Sequence, residues 1–259
     1  MAWWGEFSFD LDKGRLWRLA GLDLRLCRRQ GEWRIETLRR PDQHEDHQDW
    51  IIEMQSPEEI GGARLQRHLF TAAPERLRLL PRLADRPVVI RPVSPLFIAP
   101  GQSATLFVST PLWVNAWVEG VDLPLLDIPV IRPSDTWFGI SPIRGQIAYA
   151  TKVFGRTDLD HLPVRPFRAV TPVTIRNDGP GPMPVERLSL PVPQLDLLSG
   201  EDGRLWTPGL RVERQAHTRL PKVVIEARPP ESAGKLLRLA QPRETDAGAL
   251  GTMFDHFFD

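Results

Sequence analysis

The sequence has one cysteine and no long hydrophobic run among its 259 residues, and each of these scarcities excludes a class of structure. Because Cys27 is alone, no intramolecular disulfide and no paired-cysteine metal site can form. No stretch approaches the roughly 20 apolar residues of a membrane-spanning helix, and the N-terminus has neither the basic start nor the apolar core of a signal peptide. We therefore expect a soluble, cytoplasmic protein without direct membrane insertion.

Charge of either sign is not in excess, because 33 basic residues balance 33 acidic ones. No overall field would draw the protein to nucleic acid, so no nucleic-acid partner is predicted. Signatures of catalysis are also scarce. The sequence has no Gly-x-Ser-x-Gly elbow, Gly61-Gly62 is too sparse for a phosphate-binding loop, and Cys27 lies inside an alternating strand. The sequence predicts no catalytic residue and no cofactor, and it favours a non-enzymatic protein.

What the sequence does have is proline and alternation. The 26 prolines are scattered along the chain, where they interrupt helices and bound strands. Apolar and polar side chains alternate in short runs about ten residues apart, a spacing typical of sandwiches and barrels. We predict an all-β fold, an antiparallel β-sandwich with an immunoglobulin-like strand spacing. Its parts would be an N-terminal β-rich region (1–86), the sandwich (87–228), and a linker with an amphipathic tail (229–259).

Two hairpins are predicted within this pattern. In the first, Leu22, Leu24 and Leu26 alternate with polar neighbours, and a turn at 29–31 leads to an alternating run at 33–36. In the second, residues 168–176 and 185–192 alternate on both sides of an Asn177-Asp178-Gly179 turn, which predicts an antiparallel pair with one buried face.

The C-terminal tail carries an apolar stripe with helical spacing. It predicts a short amphipathic helix capped by Asp246, which would pack on its own sandwich or dock on a partner. The residues of the stripe are Leu250, Met253, Phe254, Phe257 and Phe258.

Two polar clusters contain groups able to bind zinc or manganese. His44 and His47 belong to a polar segment at 41–49, which is better explained as an exposed loop. Asp158, Asp160 and His161 precede Pro163, and a turn explains them better than a cation site or an acid/base pair. A metal-dependent hydrolase built on either cluster is the first alternative function.

Tryptophan is the basis of the second alternative, a carbohydrate-binding module. The chain has nine, including Trp3, Trp4, Trp17, Trp33, Trp113, Trp117 and Trp137. Trp113 and Trp117 would share one face of a strand, which we interpret as an internal interface in preference to a binding platform.

Four segments carry a family resemblance. They are Pro129-Val-Ile-Arg-Pro-Ser-Asp-Thr-Trp-Phe-Gly139, Gly145-Gln-Ile-Ala-Tyr-Ala150, Arg168-Ala-Val-Thr-Pro-Val-Thr-Ile-Arg-Asn177 and Glu186-Arg-Leu-Ser-Leu-Pro-Val-Pro193. Together they resemble the uncharacterised archaeal and bacterial family catalogued as domain of unknown function 432, up to about residue 215. The resemblance implies no activity or catalytic residues. Genes of this family lie beside those of small mechanosensitive channels, so the resemblance implies a membrane-associated partner with a link to such a channel. The tail after residue 228 is expected to depart from the family pattern.

Within the resembling region, six polar or aromatic residues are not obviously needed by the fold. An aromatic wall with forked donors would suit an anionic ligand, although each residue also has a structural explanation. The candidate ligand-binding residues are Asp135, Trp137, Arg144, Tyr149, Arg156 and Arg168. Our main prediction for function is a binding or adaptor module, for a protein partner or for self-association, that uses a sheet face, a sheet edge or the C-terminal stripe.

Overall fold

The computed structural model describes residues 2–40, 50–53, 59–139, 141, 143–153, 156–214, 222–226 and 233–244. The regular secondary structure of these ranges is almost entirely β-strand, with a short 3₁₀ helix at Val192–Gln194, which confirms the all-β prediction. The strands in chain order are β1 (Gly5–Ser8), β2 (Gly14–Leu19), β3 (Leu22–Arg29), β4 (Glu32–Arg39), β5 (Trp50–Glu53), β6 (Arg64–Leu69), β7 (Arg76–Arg82), β8 (Val88–Pro92), β9 (Leu96–Ile98), β10 (Ser103–Pro111), β11 (Trp113–Val118), β12 (Leu126–Pro129), β13 (Ser134–Gly139), β14 (Gly145–Val153), β15 (Arg168–Asn177), β16 (Met183–Val185), β17 (Leu188–Leu190), β18 (Leu197–Gly200), β19 (Leu205–Trp206), β20 (Leu210–Arg214), β21 (Lys222–Ile225) and β22 (Leu236–Ala240).

The chain forms two compact units. Unit 1 comprises Met1–Arg82 and Leu112–Arg132, and unit 2 comprises Leu83–Pro111 and Pro133–Asp259. This division differs from the one predicted from sequence, which placed 112–132 inside a sandwich over 87–228. The reason lies in strand pairing, because β11 joins β7 over six residue pairs and so returns the chain to unit 1.

Unit 1 contains two sheets. One has the strand order β5-β2-β3-β4-β6 and includes the predicted hairpin of β3 and β4, which Gly31 closes at a φ of 70°. The other has the order β1-β7-β11-β12. Aromatic rings join the two, since Phe7 of β1 meets Trp17 of β2 edge-on at 5.3 Å between centroids. Phe9 and Trp33 meet similarly at 4.8 Å, and Trp17 and Trp33 are fully buried.

The polar face of the β3–β4 hairpin is also buried, which the alternation alone does not reveal. Arg25 and Glu36 lie opposite each other in the register and form an ion pair, with 1% and 4% of their side chains exposed. Glu36 also accepts a hydrogen bond from the Ile60 amide at 2.8 Å. Cys27, on the same face, is fully buried, as expected for a small packing residue.

Unit 2 is organised around β15. β10 pairs antiparallel along one edge of β15, and β19 and β20 lie parallel along the other. A second sheet has the order β13-β14-β8-β17, in which β14 and β8 are parallel. The strand pairs are therefore mixed in direction. Among the described strands, three pairs are parallel, namely β8 with β14, β15 with β19 and β15 with β20.

The hairpin predicted from 168–176 and 185–192 is wrong. Both edges of β15 already have partners, so β16 pairs with β9 and β17 with β8. Asn177 turns the chain away, because its buried amide Nδ2 donates to the carbonyl oxygens of Ile98 and Gly181, each at 2.8 Å. Its Oδ1 accepts from the Gly179 amide at 3.0 Å. The turn is present as predicted, but it delivers the chain to another sheet.

The C-terminal part of unit 2 also differs from expectation. Part of the stretch predicted as linker and tail forms β22, which pairs antiparallel with β18. Arg243 then donates from Nε to the Leu83 carbonyl at 2.7 Å. Asp246 and the five residues of the apolar stripe lie outside the described residues, as do His44 and His47.

A candidate binding face on the β13–β14 hairpin

Three of the six predicted ligand-binding residues come together on one face of the β13–β14 hairpin. Asp135 pairs with Tyr149 in the register, and Trp137 pairs with Ile147. Directly paired residues lie on the same side of a sheet, so these four side chains share one surface, which we call the hairpin face. The alternate residues Phe138 and Ala148 are buried with Val89 on the opposite side. The hairpin thus has one core face and one outward face.

Trp137 is held in place although 42% of it is exposed. Its indole Nε1 donates to the Ser141 carbonyl oxygen at 2.9 Å. A Cβ atom built on Gly145 would lie only 2.8 Å from Cε2 of the Trp137 ring, so the ring lies directly against the glycine backbone. Only glycine leaves room for this close approach.

Apolar exposure extends along the hairpin from Trp137. Ile147 is 54% exposed and Ile143, in the connecting loop, is 92% exposed. Arg144 lies next to Ile143, and its backbone amide donates to the Ser141 hydroxyl at 3.0 Å. A concentration of exposed apolar side chains on one element is typical of an interaction surface.

Charged groups border the hairpin face at the Tyr149 end. The Tyr149 hydroxyl donates to Oδ1 of Asp85 at 2.9 Å, and the Arg86 guanidinium lies over the Tyr149 ring, 5.4 Å from its centroid. Arg86 also forms an ion pair with Asp135 at 3.3 Å. The strand β8 begins two residues later, parallel to β14, and this parallel pairing carries Asp85 and Arg86 to Tyr149.

These contacts suit Tyr149 to binding and not to proton transfer. Burial, followed by the hydrogen bond to Asp85, raises the pKa of Tyr149 to about 12. The phenol therefore stays protonated at neutral pH and acts as a fixed hydrogen-bond donor. A general acid or base works best with a pKa near the working pH, which this group does not have.

The other two predicted residues lie elsewhere in unit 2. Arg168 is buried at the start of β15, where its Nε donates to the Ser109 hydroxyl at 2.8 Å and its Nη2 to the Ser109 carbonyl at 2.6 Å. Arg156 donates to the carbonyl oxygen of His161. Neither belongs to the hairpin face.

The second predicted metal cluster forms a turn. Asp158 accepts a hydrogen bond from the Asp160 amide at 2.9 Å and contacts His161 Nδ1 at 2.8 Å. The hydrogen bond from the Asp160 amide, with a smaller contribution from His161, lowers the pKa of Asp158. Within the part of the chain that the structure describes, no three His, Cys, Asp or Glu side chains are grouped so that they could hold a metal ion.

Most tryptophans proposed for sugar stacking are buried. Trp3, Trp17, Trp33 and Trp113 are at most 5% exposed and cannot form a platform. Trp4, Trp117 and Trp137 remain accessible in part.

Sequence reasoning missed Asp85, Arg86 and Ile147 as neighbours of the site. Arg86 belongs to an Arg-Pro-Val-Val-Ile-Arg-Pro segment, but only the parallel pairing of β8 with β14 shows why it lies beside Tyr149. Ile147 could have been found, because it lies two residues before Tyr149 and so shares its face.

A family model described as a protein of unknown function, DUF432, matches residues 3–258. The chain belongs to this family. The match confirms the resemblance. It also includes the tail, so the prediction that the chain departs from the DUF432 pattern after residue 228 is wrong. No curated protein and no solved structure matches the chain. Among the described residues, no helix is long and apolar enough to cross a membrane.

Proposed function

We propose that this DUF432 protein is a non-enzymatic binding module, and that the hairpin face with the outer edge of β13 receives an extended segment of a partner protein. The observation that carries the proposal is the combination of exposed Trp137, Ile143 and Ile147 on a hairpin whose first strand lies at the edge of its described sheet.

The chemistry of the edge supports an extended occupant. An edge strand offers unpaired backbone N–H and C=O groups along one side, and a partner strand can pair with them. Its side chains would then alternate, and those on the outward side would lie beside Asp135 and Trp137. We expect the bound segment to be apolar at alternate positions, because Trp137 and Ile147 offer apolar area and Trp137 is already held in one orientation.

We further propose that the sheets of each unit pack as a β-sandwich. We propose this arrangement for unit 1 because Phe7 and Trp17 join its two sheets through ring contacts. The hydrolase alternative has less support, since Asp158 is engaged by Asp160 and His161. A role of the C-terminal stripe, a cytoplasmic location and a link to mechanosensitive channels stay predictions.

A photo-crosslinking amino acid at position 147 would test the proposal in cells that express the protein. We expect one dominant partner crosslink from position 147 and none from position 237, a matched control on β22 whose leucine is 69% exposed. Adding Trp137→Ala should remove the crosslink from a protein that still unfolds in one cooperative transition. With the purified partner, the amides of β13 should then exchange more slowly with deuterium.

Two results would contradict the proposal. One is an equal crosslink from position 237, which would indicate nonspecific capture. The other is unchanged exchange in β13 when the partner binds, which would show that the strand edge is not used.

A further inference from the structure

Unit 1 contains a cavity of about 540 Å³ that is separate from the hairpin face. It lies over the outward side of β1, β7 and β11, together with the turn that follows β11. Its polar and aromatic lining residues are Glu6, Arg76, Arg78, Trp117, Glu119 and Asp122.

Three of these residues form a row across three strands. Glu6 of β1 pairs with Arg78 of β7, and Arg78 pairs with Trp117 of β11. Cross-strand neighbours have Cβ atoms about 4.5–5.5 Å apart. A carboxylate, a guanidinium and an indole are therefore placed side by side on rigid strands and not on a loop.

Trp117 is positioned by a buried polar neighbour. Its indole Nε1 donates to Oδ1 of Asn115, which is itself 1% exposed. The Asn115 amide donates in turn to the Leu126 carbonyl oxygen at 3.4 Å. The indole is only partly buried, so it meets the cavity in one fixed orientation, and such preorganisation lowers the entropy cost of binding.

The charges in the cavity are mixed and nearly balanced. Arg76 forms an ion pair with Glu6 at 3.1 Å, whereas no described residue forms an ion pair with Arg78, Glu119 or Asp122. Three carboxylates against two guanidinium groups leave one net negative charge. That balance disfavours phosphate and other strong anions, which need an excess of donors.

We propose that this cavity binds a neutral sugar, with one pyranose ring stacked on Trp117. A pyranose has an apolar C–H face that suits an indole, and neighbouring hydroxyls that both donate and accept hydrogen bonds. Arg78 can donate two parallel hydrogen bonds to sugar hydroxyl oxygens, and the carboxylates of Glu119 and Asp122 can accept hydrogen bonds from sugar hydroxyl groups. A few fixed polar groups around an aromatic surface are the usual composition of a small-molecule site.

Fluorine NMR on the full chain labelled with 5-fluorotryptophan can test this site. The nine tryptophans give one signal each, and Trp117→Phe identifies the signal of Trp117. Glucose, N-acetylglucosamine and cellobiose are the sugar probes, and glutamate and inorganic phosphate are the comparison ligands. Trp137, in unit 2, serves as the internal reference.

We expect at least one sugar to shift the Trp117 signal in a saturable way and to leave the Trp137 signal unchanged. Arg78→Ala and Asp122→Asn should each raise the Kd for that sugar about tenfold, which corresponds to about 1.4 kcal/mol. Both residues are exposed, so unchanged signals from buried tryptophans will confirm that the variants fold.

Three outcomes would overturn the proposal. The first is that no sugar shifts the Trp117 signal up to about 100 mM, a concentration that exceeds a millimolar Kd a hundredfold. The second is that only phosphate or glutamate shifts it. The third is that both variants bind the sugar with the same affinity as the unsubstituted protein. None of them bears on the partner-binding face of unit 2, which the crosslinking experiment tests independently.

Discussion

The two units bury polar groups in different ways. Unit 1 buries mostly ionised groups: Arg25 and Glu36 pair within the sheet, and Glu32 accepts hydrogen bonds from Arg34 and Arg67, which lower the pKa of Glu32. Apart from Arg168, whose guanidinium donates to Ser109, the buried polar side chains described in unit 2 are neutral. Thr207 donates to Thr171 at 2.8 Å, and the amide of Asn177 is satisfied by three backbone groups.

This difference predicts which substitutions destabilise each unit most. A buried ion pair gains little over apolar residues of the same shape, but removing one partner leaves a charge in a medium that solvates it poorly. A buried neutral group costs less when it loses its partner. Three predictions test this contrast, and they are given in order of expected size.

The largest effect is expected at Glu36. Glu36→Ala leaves Arg25 buried and charged and removes the acceptor of the Ile60 amide, so we expect the free energy of unfolding to fall by about 3–5 kcal/mol in urea titrations. The double change Arg25→Met with Glu36→Leu should restore most of this loss, because no charge remains. A matched control is Glu6→Ala, which breaks an exposed pair and should cost at most about 1 kcal/mol. A small effect of Glu36→Ala alone would show that the pair is not shielded from water.

A smaller effect is expected at Asn177. Asn177→Ala leaves the Ile98 carbonyl and the Gly179 amide without their partner, and we expect the loss of about 1–3 kcal/mol that one unsatisfied buried polar group produces. Asp178→Ala, the neighbouring change in the same turn, removes only an exposed ion pair with Arg176 and should cost at most about 1 kcal/mol. Equal losses for both variants would contradict the role given to Asn177.

The positions of the strands along the chain could be predicted from sequence much better than the pairing between strands. Alternation located β3, β4, β7, β11 and β15 correctly, because the residue period of a strand is a local property. Pairing is not local. The Asn177-Asp178-Gly179 turn has the residues of a hairpin, yet the available edges of β15 are filled by strands from elsewhere in the chain.

The candidate site shows the same limit. Asp135, Trp137 and Tyr149 could be grouped from sequence because β13 and β14 form a local hairpin. Arg168 could not be separated from them, since only its contact with Ser109 shows that it is a buried structural residue. Nor does the alternation of β3 indicate that Arg25 is buried, because an arginine on the polar face of a strand is usually exposed.

The smallest effect concerns ionisation and not unfolding. Tyr149 is the only tyrosine in the chain, so the rise in absorbance near 295 nm with increasing pH reports the ionisation of its phenol, because the nine tryptophans do not titrate. We expect a pKa of about 12, and Asp85→Ala should lower it without returning it to 10, because burial remains the larger cause. A raised pKa stabilises the fold fully below the unfolded value of about 10, and this contribution disappears as the pH rises through about 12. A measured pKa near 10 would show that Tyr149 is solvated and does not hold Asp85.

Leu112–Arg132 belongs to unit 1 although strands of unit 2 precede it in the chain, and this affects when unit 1 can fold during synthesis. During synthesis, β7 leaves the ribosome about 30 residues before its partner β11, and the whole of β8, β9 and β10 emerges in between. Unit 1 therefore cannot finish folding while only its first 82 residues exist, and a fragment ending there would present the unpaired edge of β7 to other chains. A released fragment ending at Arg82 should need a chaperone, whereas one that extends beyond Arg132 should be able to close the sheet itself.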